Sequence, residues 1–420
     1  VTVLLDAKGG SIRDPQVHYD AQKILFSYRV ARTPQYHLYE IDADGNGLRQ
    51  LTFGQFDDIE PSYLHDGGIV FVSSRSRQWT GCLPVHVGNI YRCDGDGKNI
   101  TRLSANIEHD NTPWVMPDGR IMHTRWEYID RNWMYHHLWT MNPDGTNQMV
   151  YYGNMHPNIV MIDAKPIPDT NRVVASFNAN HGKPGHYGHI ATLSGKKGPD
   201  DVSAVRVFQG KLTNDPFLAV QDGVFARDPY PITEDCFLLA DKHRILVMDG
   251  RGRCGELYAS PKNREAPDPI TDEWLAESPY RSAFFAKRYL IKHYSFPHYD
   301  DLHEPRPLVP RRREPVLPTR ADSTQATGRM VLLDVYRGRN MEGVERGEIK
   351  KLLIIEALPK PVCFTGPPDL VSFGGTHTLE RVLGAVPVEA DGSAYFEVPA
   401  KRPIFFVALD ENDMSVKRMQ

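Results

Sequence analysis

The residues best placed to do chemistry in this sequence are histidines. His181, His186 and His189 fall within one glycine-rich stretch, HGKPGHYGH. Imidazoles this dense can converge on a transition metal, since neutral ring nitrogens are good ligands for such ions. The competing reading is hydrogen-bonded histidines that line a channel without metal, because no thiolate or carboxylate stands nearby to complete a ligand set. Cys82 and His86 are four apart, with Trp79 just ahead of them. Such a pair can share a metal or make a reactive thiol. Two ligands are not a site, and a packed loop with a quiet thiol competes. A third stretch, Arg125 to His137, carries Trp126, Tyr128, Trp133, His136 and His137. Flat aromatic surface of this kind suits a ligand pocket or a protein interface. Aromatic packing between repeat units explains it equally well.

Two further stretches are weaker. Asp42 to Gly47 (DADGNG) begins like a calcium loop, but the twelfth position is Phe53, where calcium needs a bidentate Glu. Asp-Gly is also the turn chemistry of a hairpin. Arg311-Arg312-Arg313 is a basic run flanked by prolines. It could meet an acidic partner, or pair with Glu304 or Glu314 in a solvated linker. G-x-S-x-G, HExxH and P-loop motifs are all absent from the sequence. No residue is therefore assigned a catalytic role, and whether the chain is an enzyme stays open.

The elements that must position these residues repeat. Asp14-Pro15, Glu60-Pro61 and Thr112-Pro113 open three successive stretches. Ile24-Leu25-Phe26, Ile69-Val70-Phe71 and Ile121-Met122-His123 are their β-branched or aromatic cores. Leu38-Tyr39, Ile90-Tyr91 and Leu138-Trp139 follow, and Asp44-Gly45, Asp96-Gly97 and Asp144-Gly145 close each stretch. These hairpins lie 52 and 48 residues apart. Four strands repeating at such a period mark a β-propeller blade. Residues 156–194 and 228–260 give two weaker copies, so five blades are legible. A sixth is expected from residues 195–227 or 265–300, or from closure by Val1–Leu5. The fold predicted is all-β: a six-bladed propeller over residues 1–300, then a smaller β-sandwich-like domain over 322–420. Between them, residues 301–321 form an extended linker rich in Pro and Arg. The smaller domain runs to Gln420 without a visible end signal and is read as cut short there.

Composition narrows the classes. The 420 residues are 40% hydrophobic and 24% charged, with a formal net charge of -4, which argues against a nucleic-acid binder. No apolar run approaches the roughly 20 residues that span a bilayer. The five cysteines show no CxxC or CxxCH spacing.

The repeat pattern D-P…G-x-I-x-F-x-S-x-R…I-Y…D-G…L-T over residues 12–260 resembles the propeller repeats of TolB-like proteins. A narrower resemblance covers PRPLVPRRREPVLPTRAD, VLLDVYRG…VERGEIKKLLIIEALP and DGSAYFEVPAKRPIFFVALDENDMSVKRMQ. These stretches are similar to the segment between propeller and haem-binding part in hydrazine synthase alpha subunit-like proteins. The resemblance implies an exported, periplasmic protein that acts as a scaffold or binding module. Its partner would be another protein or its own C-terminal haem domain. It implies no cofactor within this chain, and a c-type haem only in a continuation beyond Gln420. A metal-dependent, oxidoreductase-like enzyme and a TolB-like protein-binding module are the alternatives.

Overall fold

The computed structural model describes residues 1–81, 85–129, 133–154, 156, 159–179, 184–213, 219–261, 301–322, 324–338, 341–360 and 379–418. Among them the regular structure is strand, with three short 3-10 turns. No helix is long and apolar enough to cross a membrane.

Five four-stranded antiparallel meanders follow one another. The first unit is Ser11–Val17, Lys23–Arg29, His37–Asp42 and Arg49–Gln50. The second is Asp58–Tyr63, Ile69–Ser73, Asn89–Cys93 and Thr101–Arg102. The third is Asp110–Val115, Ile121–Ile129, Trp133–Met141 and Met149–Tyr152. The fourth is Ile159–Pro166, Arg172–Ala179, Gly188–Ser194 and Val205–Val207. The fifth is Phe225–Thr233, Cys236–Asp241, Arg244–Asp249 and Cys254–Ala259. The last three join into one 12-stranded mixed sheet, through a parallel bridge between His136 and Val160 and antiparallel pairing of His189 with Phe225.

Apolar residues hold each unit to the next. Leu25, Leu38 and Leu51 of the first pack with Ile69, Phe71 and Tyr91 of the second. Val70 and Ile90 of the second meet Ile121 and Met141 of the third. Met122 and Leu138 meet Val173 and Phe177, and Val174 and Ile190 meet Phe237 and Leu239. The two sides of each central strand therefore serve different neighbours, which is why runs such as IVFV are apolar throughout rather than alternating.

The Asp-Gly pairs are turns. Asp44, Asp96 and Asp144 each accept the amide two residues on, at 2.9, 3.0 and 2.9 Å. Asp42 to Gly47 is thus the hairpin of the first unit. Gly97 has φ +84°, and a Cβ there would lie 2.0 Å from the Leu51 carbonyl oxygen of the preceding unit. Gly250, Gly252 and Gly255 have the spacing of a dinucleotide loop, yet they sit on the hairpin joining two strands of the fifth unit, with no helix following.

Residues 301–321 contain no strand, but they are anchored across the units. The Arg311 amide donates to the Tyr19 carbonyl at 2.9 Å, and Arg311 pairs with Glu314 at 2.9 Å. The Arg320 amide reaches Asp144 at 2.6 Å.

Beyond this segment, Thr327–Leu332 pairs with Ala394–Pro399. Leu379–Pro387, Lys351–Leu358, Ile404–Leu409 and Ser415–Arg418 form a second antiparallel sheet in that order. The two sheets share a core of Leu352, Ile354, Phe396, Val398 and Ala408.

Candidate functional site

The first strand of each unit carries one residue that departs from strand geometry. Asp14, Glu60, Thr112, Asp163 and Asp228 have φ between 51° and 60°, and Glu304 repeats the feature at 49°. A left-handed conformation at a non-glycine residue costs of order 1–3 kcal/mol. In all five units the pairing register of that strand breaks at this point, as a β-bulge requires. The bulges re-aim the side chains, and all six residues line one cavity of about 440 Å³.

Contacts between units offset the strain. Glu304 Oε2 accepts the Asp14 amide at 2.6 Å, and Asp14 Oδ2 accepts the Glu60 amide at 2.9 Å. Glu60 Oε2 accepts the Thr112 amide at 2.5 Å, and Asp228 Oδ2 accepts the Glu304 amide at 2.9 Å. Glu60, Thr112 and Glu304 thus each receive a carboxylate from earlier in the chain, and Asp14 receives that of Glu304. Hydrogen bonds to charged acceptors are the stronger kind. Arg13 braces the chain, lying 2.9 Å from the Asp14 carboxylate and 3.0 Å from Glu60 Oε1.

The electrostatics follow from burial. Burial, with Asp14 nearby, pushes the Glu304 carboxyl up to about 8. Burial also raises Glu60, against the pull of Arg13. His186 Nδ1 sits 3.0 Å from Asp163 Oδ2. Burial opposes charge on both, but each stabilises the other's ion, so His186 rises to about 9 while Asp163 falls below the usual carboxylate range. Lys165 is held down to about 8 by burial and by Arg306.

The sequence candidates divide. His186 lines this cavity, on the turn Pro184–His186. His189 lies on Gly188–Ser194, edge-on to Phe225 at 5.1 Å. His181 is outside the described residues. Among the described residues, no three His, Cys, Asp or Glu side chains gather as metal ligands.

In the second unit, Trp79 packs on His86 with ring centroids 4.2 Å apart. Trp79 also bridges Lys360, whose ammonium donates to the Gly81 carbonyl at 3.2 Å. That loop is a joint with the C-terminal region, next to buried Glu108, which burial raises to about 8. Cys82 lies outside the described residues.

In the third unit, Trp126 is stacked between His109 at 5.5 Å and His136 at 5.3 Å. His137 Nε2 is 3.2 Å from Glu127 Oε2. Tyr128 and Trp133 lie on the paired strands Ile121–Ile129 and Trp133–Met141, and their side chains are outside the described residues.

Sequence reasoning missed Arg13, Trp114, Lys165, Glu304 and Arg306, all on the cavity wall. A signal for one of them was present. Asp14-Pro15, Glu60-Pro61, Thr112-Pro113 and Asp228-Pro229 recur again as Glu304-Pro305.

Residues 347–420 match the family described as the hydrazine synthase alpha subunit middle domain. Hydrazine synthase from Kuenenia stuttgartiensis shares the fold. The similarity covers 97% of this chain and 60% of that one, with a TM-score of 0.67 at 18% identity. The chain therefore spans three fifths of that relative. TolB from Acinetobacter baumannii is similar over 59% of this chain and 54% of its own, with a TM-score of 0.41 at 15% identity. No curated protein matches. The sequence has no CxxCH, so its residues do not fit a covalently attached c-type haem.

Proposed function

We propose that this chain is a binding and scaffold module rather than a catalyst. In this reading the five meanders and the Glu304 segment make a six-bladed β-propeller over residues 1–300 and its immediate continuation. A sandwich-like middle domain follows. The module is exported to the periplasm as the non-haem portion of a hydrazine synthase alpha-like assembly. Its partner is a protein, or a haem domain of the same polypeptide. One observation carries the reading: six left-handed residues from successive units point into a single cavity, and their carboxylates are spent on backbone amides and on Arg13 and His186. Groups tied up in this way build and hold a binding surface; they are poorly placed to exchange protons with a substrate.

Photo-crosslinking tests it. Ile12 lines the cavity and is 38% exposed. Leu257 is 63% exposed on the last strand of the fifth unit. A photoreactive residue at position 12 is expected to trap a discrete partner from periplasmic extract, while one at position 257 traps none. Identical patterns from the two positions would contradict the reading.

A further inference from the structure

The carboxylates around the cavity are spent on hydrogen bonds, whereas two of its cations, though near carboxylates, keep donors to spare among the described residues. Lys165 is 3% exposed and its ammonium has one hydrogen bond among the described residues, to the Asp163 carbonyl at 3.2 Å. Arg306 is equally sequestered, with its side chain 7% exposed. Its Nη1 donates to the carbonyl of neighbouring Pro305 at 3.1 Å. Its Nη2 stands 3.7 Å from Glu304 Oε1, too far for a hydrogen bond. Its Nε is buried with no partner among the described residues.

Both cations address the same indole. Lys165 Nζ is 5.3 Å from the Trp114 ring centroid, and the Arg306 guanidinium carbon is 5.6 Å from it. Tyr230 stands edge-on to Trp114, with its ring centroid 5.3 Å from that guanidinium carbon. Two like charges held together away from water repel each other, and unspent buried donors are costly. An anion accepting from both removes both penalties.

The geometry points to Lys165, Arg306 and Trp114 as a subsite for the carboxylate of a ligand, either a small organic acid or a peptide C-terminus. A guanidinium fork beside an ammonium matches two carboxylate oxygens. Asp163, Asp228 and Glu304 lie close enough to act on Lys165 as well, so the corner favours a monoanion over a phosphate dianion. A cavity of about 440 Å³ holds a small acid or the last residues of a chain. This inference rests on the binding-module reading.

Titration calorimetry and tryptophan fluorescence of the whole chain test it, at constant ionic strength and pH 6.5. The probes are succinate, the peptide acetyl-Ala-Ala-Leu with a free carboxylate, and the same peptide as its amide. Saturable binding of succinate or of the free-acid peptide supports the subsite, and which of them binds identifies the source of the carboxylate. Lys165→Met is expected to weaken that binding about tenfold or more. Raising the pH to 9, where Lys165, Glu304 and His186 on the cavity wall all lose protons and its positive charge falls, is expected to weaken binding in the unaltered protein as well and needs no variant to fold. The proposal is overturned if neither acid saturates, if the amide binds as well as the acid, or if affinity is unchanged at pH 9. Retention of the position-12 crosslink alongside such a failure would sink only the carboxylate subsite. Loss of that crosslink alone would sink the module reading.

Discussion

In the C-terminal sheets, Leu352, Ile354, Phe396, Val398 and Ala408 meet in an apolar layer, and buried Glu356 turns outward to Arg381 and Arg402, whose side chains are 53% and 52% exposed. At the centre of the meander units the arrangement is reversed. There Asp14, Glu60, Asp163, Lys165 and Asp228 are buried, and several sit on strained backbone. A sheet pair can be held together by area alone. The first strands of the five units bring polar groups to one cavity, and the groups that line it must pair with each other or with a ligand. Charge and packing are therefore separable in the C-terminal sheets and entangled around the cavity.

The largest effect should come from breaking that entanglement. Glu60→Ala removes the acceptor of the Thr112 amide and one partner of Arg13, and should cost about 3 kcal/mol or more in urea denaturation. A change below about 1 kcal/mol would mean that the linked carboxylates carry little of the stability of the meander units.

Next come two glycines that share φ +84°. A Cβ on Gly97 would collide with the backbone of the adjacent unit, whereas Gly343 has nothing within 4 Å. Gly343→Ala should cost about 1 kcal/mol, the backbone preference alone. Gly97→Ala should cost roughly 2 kcal/mol more, since backbone must shift. Equal costs would show that the units are not packed as closely as the structure has them.

Protonation separates the regions further. Glu304 and His186 have folded-state pKa values raised to about 8 and about 9. Their contributions are fully present below the unfolded values, near 4.5 and 6.5, and are lost as pH rises through 8 and 9. Lys165, lowered to about 8, works the other way only above that pH. Asp163 stays ionised throughout this window. The urea midpoint should fall between pH 6 and 8, and Glu304→Gln should flatten the fall. An unchanged slope in that variant would remove Glu304 as its source.

The smallest effect is expected in the C-terminal sheets. Arg381→Ala leaves Glu356 with Arg402 at 3.1 Å and should cost less than about 1 kcal/mol.

Much of the scaffold was legible in the sequence, because local chemistry writes it. Asp-Gly turns, apolar central strands and the X-Pro openings all report on residues close in the chain. The site was less legible. His186 was picked out for its neighbours His181 and His189, yet the structure gives it Asp163, 23 residues away. Lys165 and Trp114 come together only because bulges shift which residues face inward. Arg306 and Glu304 were hidden in proline-rich texture that reads as linker, since a segment pinned by its side chains need not show strand periodicity.

Native-state hydrogen exchange at Asp14, Glu60, Thr112 and Glu304 bears most directly on whether the Glu304 segment closes the proposed propeller. If it does, these four amides exchange together and slowly, through one shared opening. Exchange of the Glu304 amide as fast as that of Val309, 55% exposed a few residues on, would contradict it.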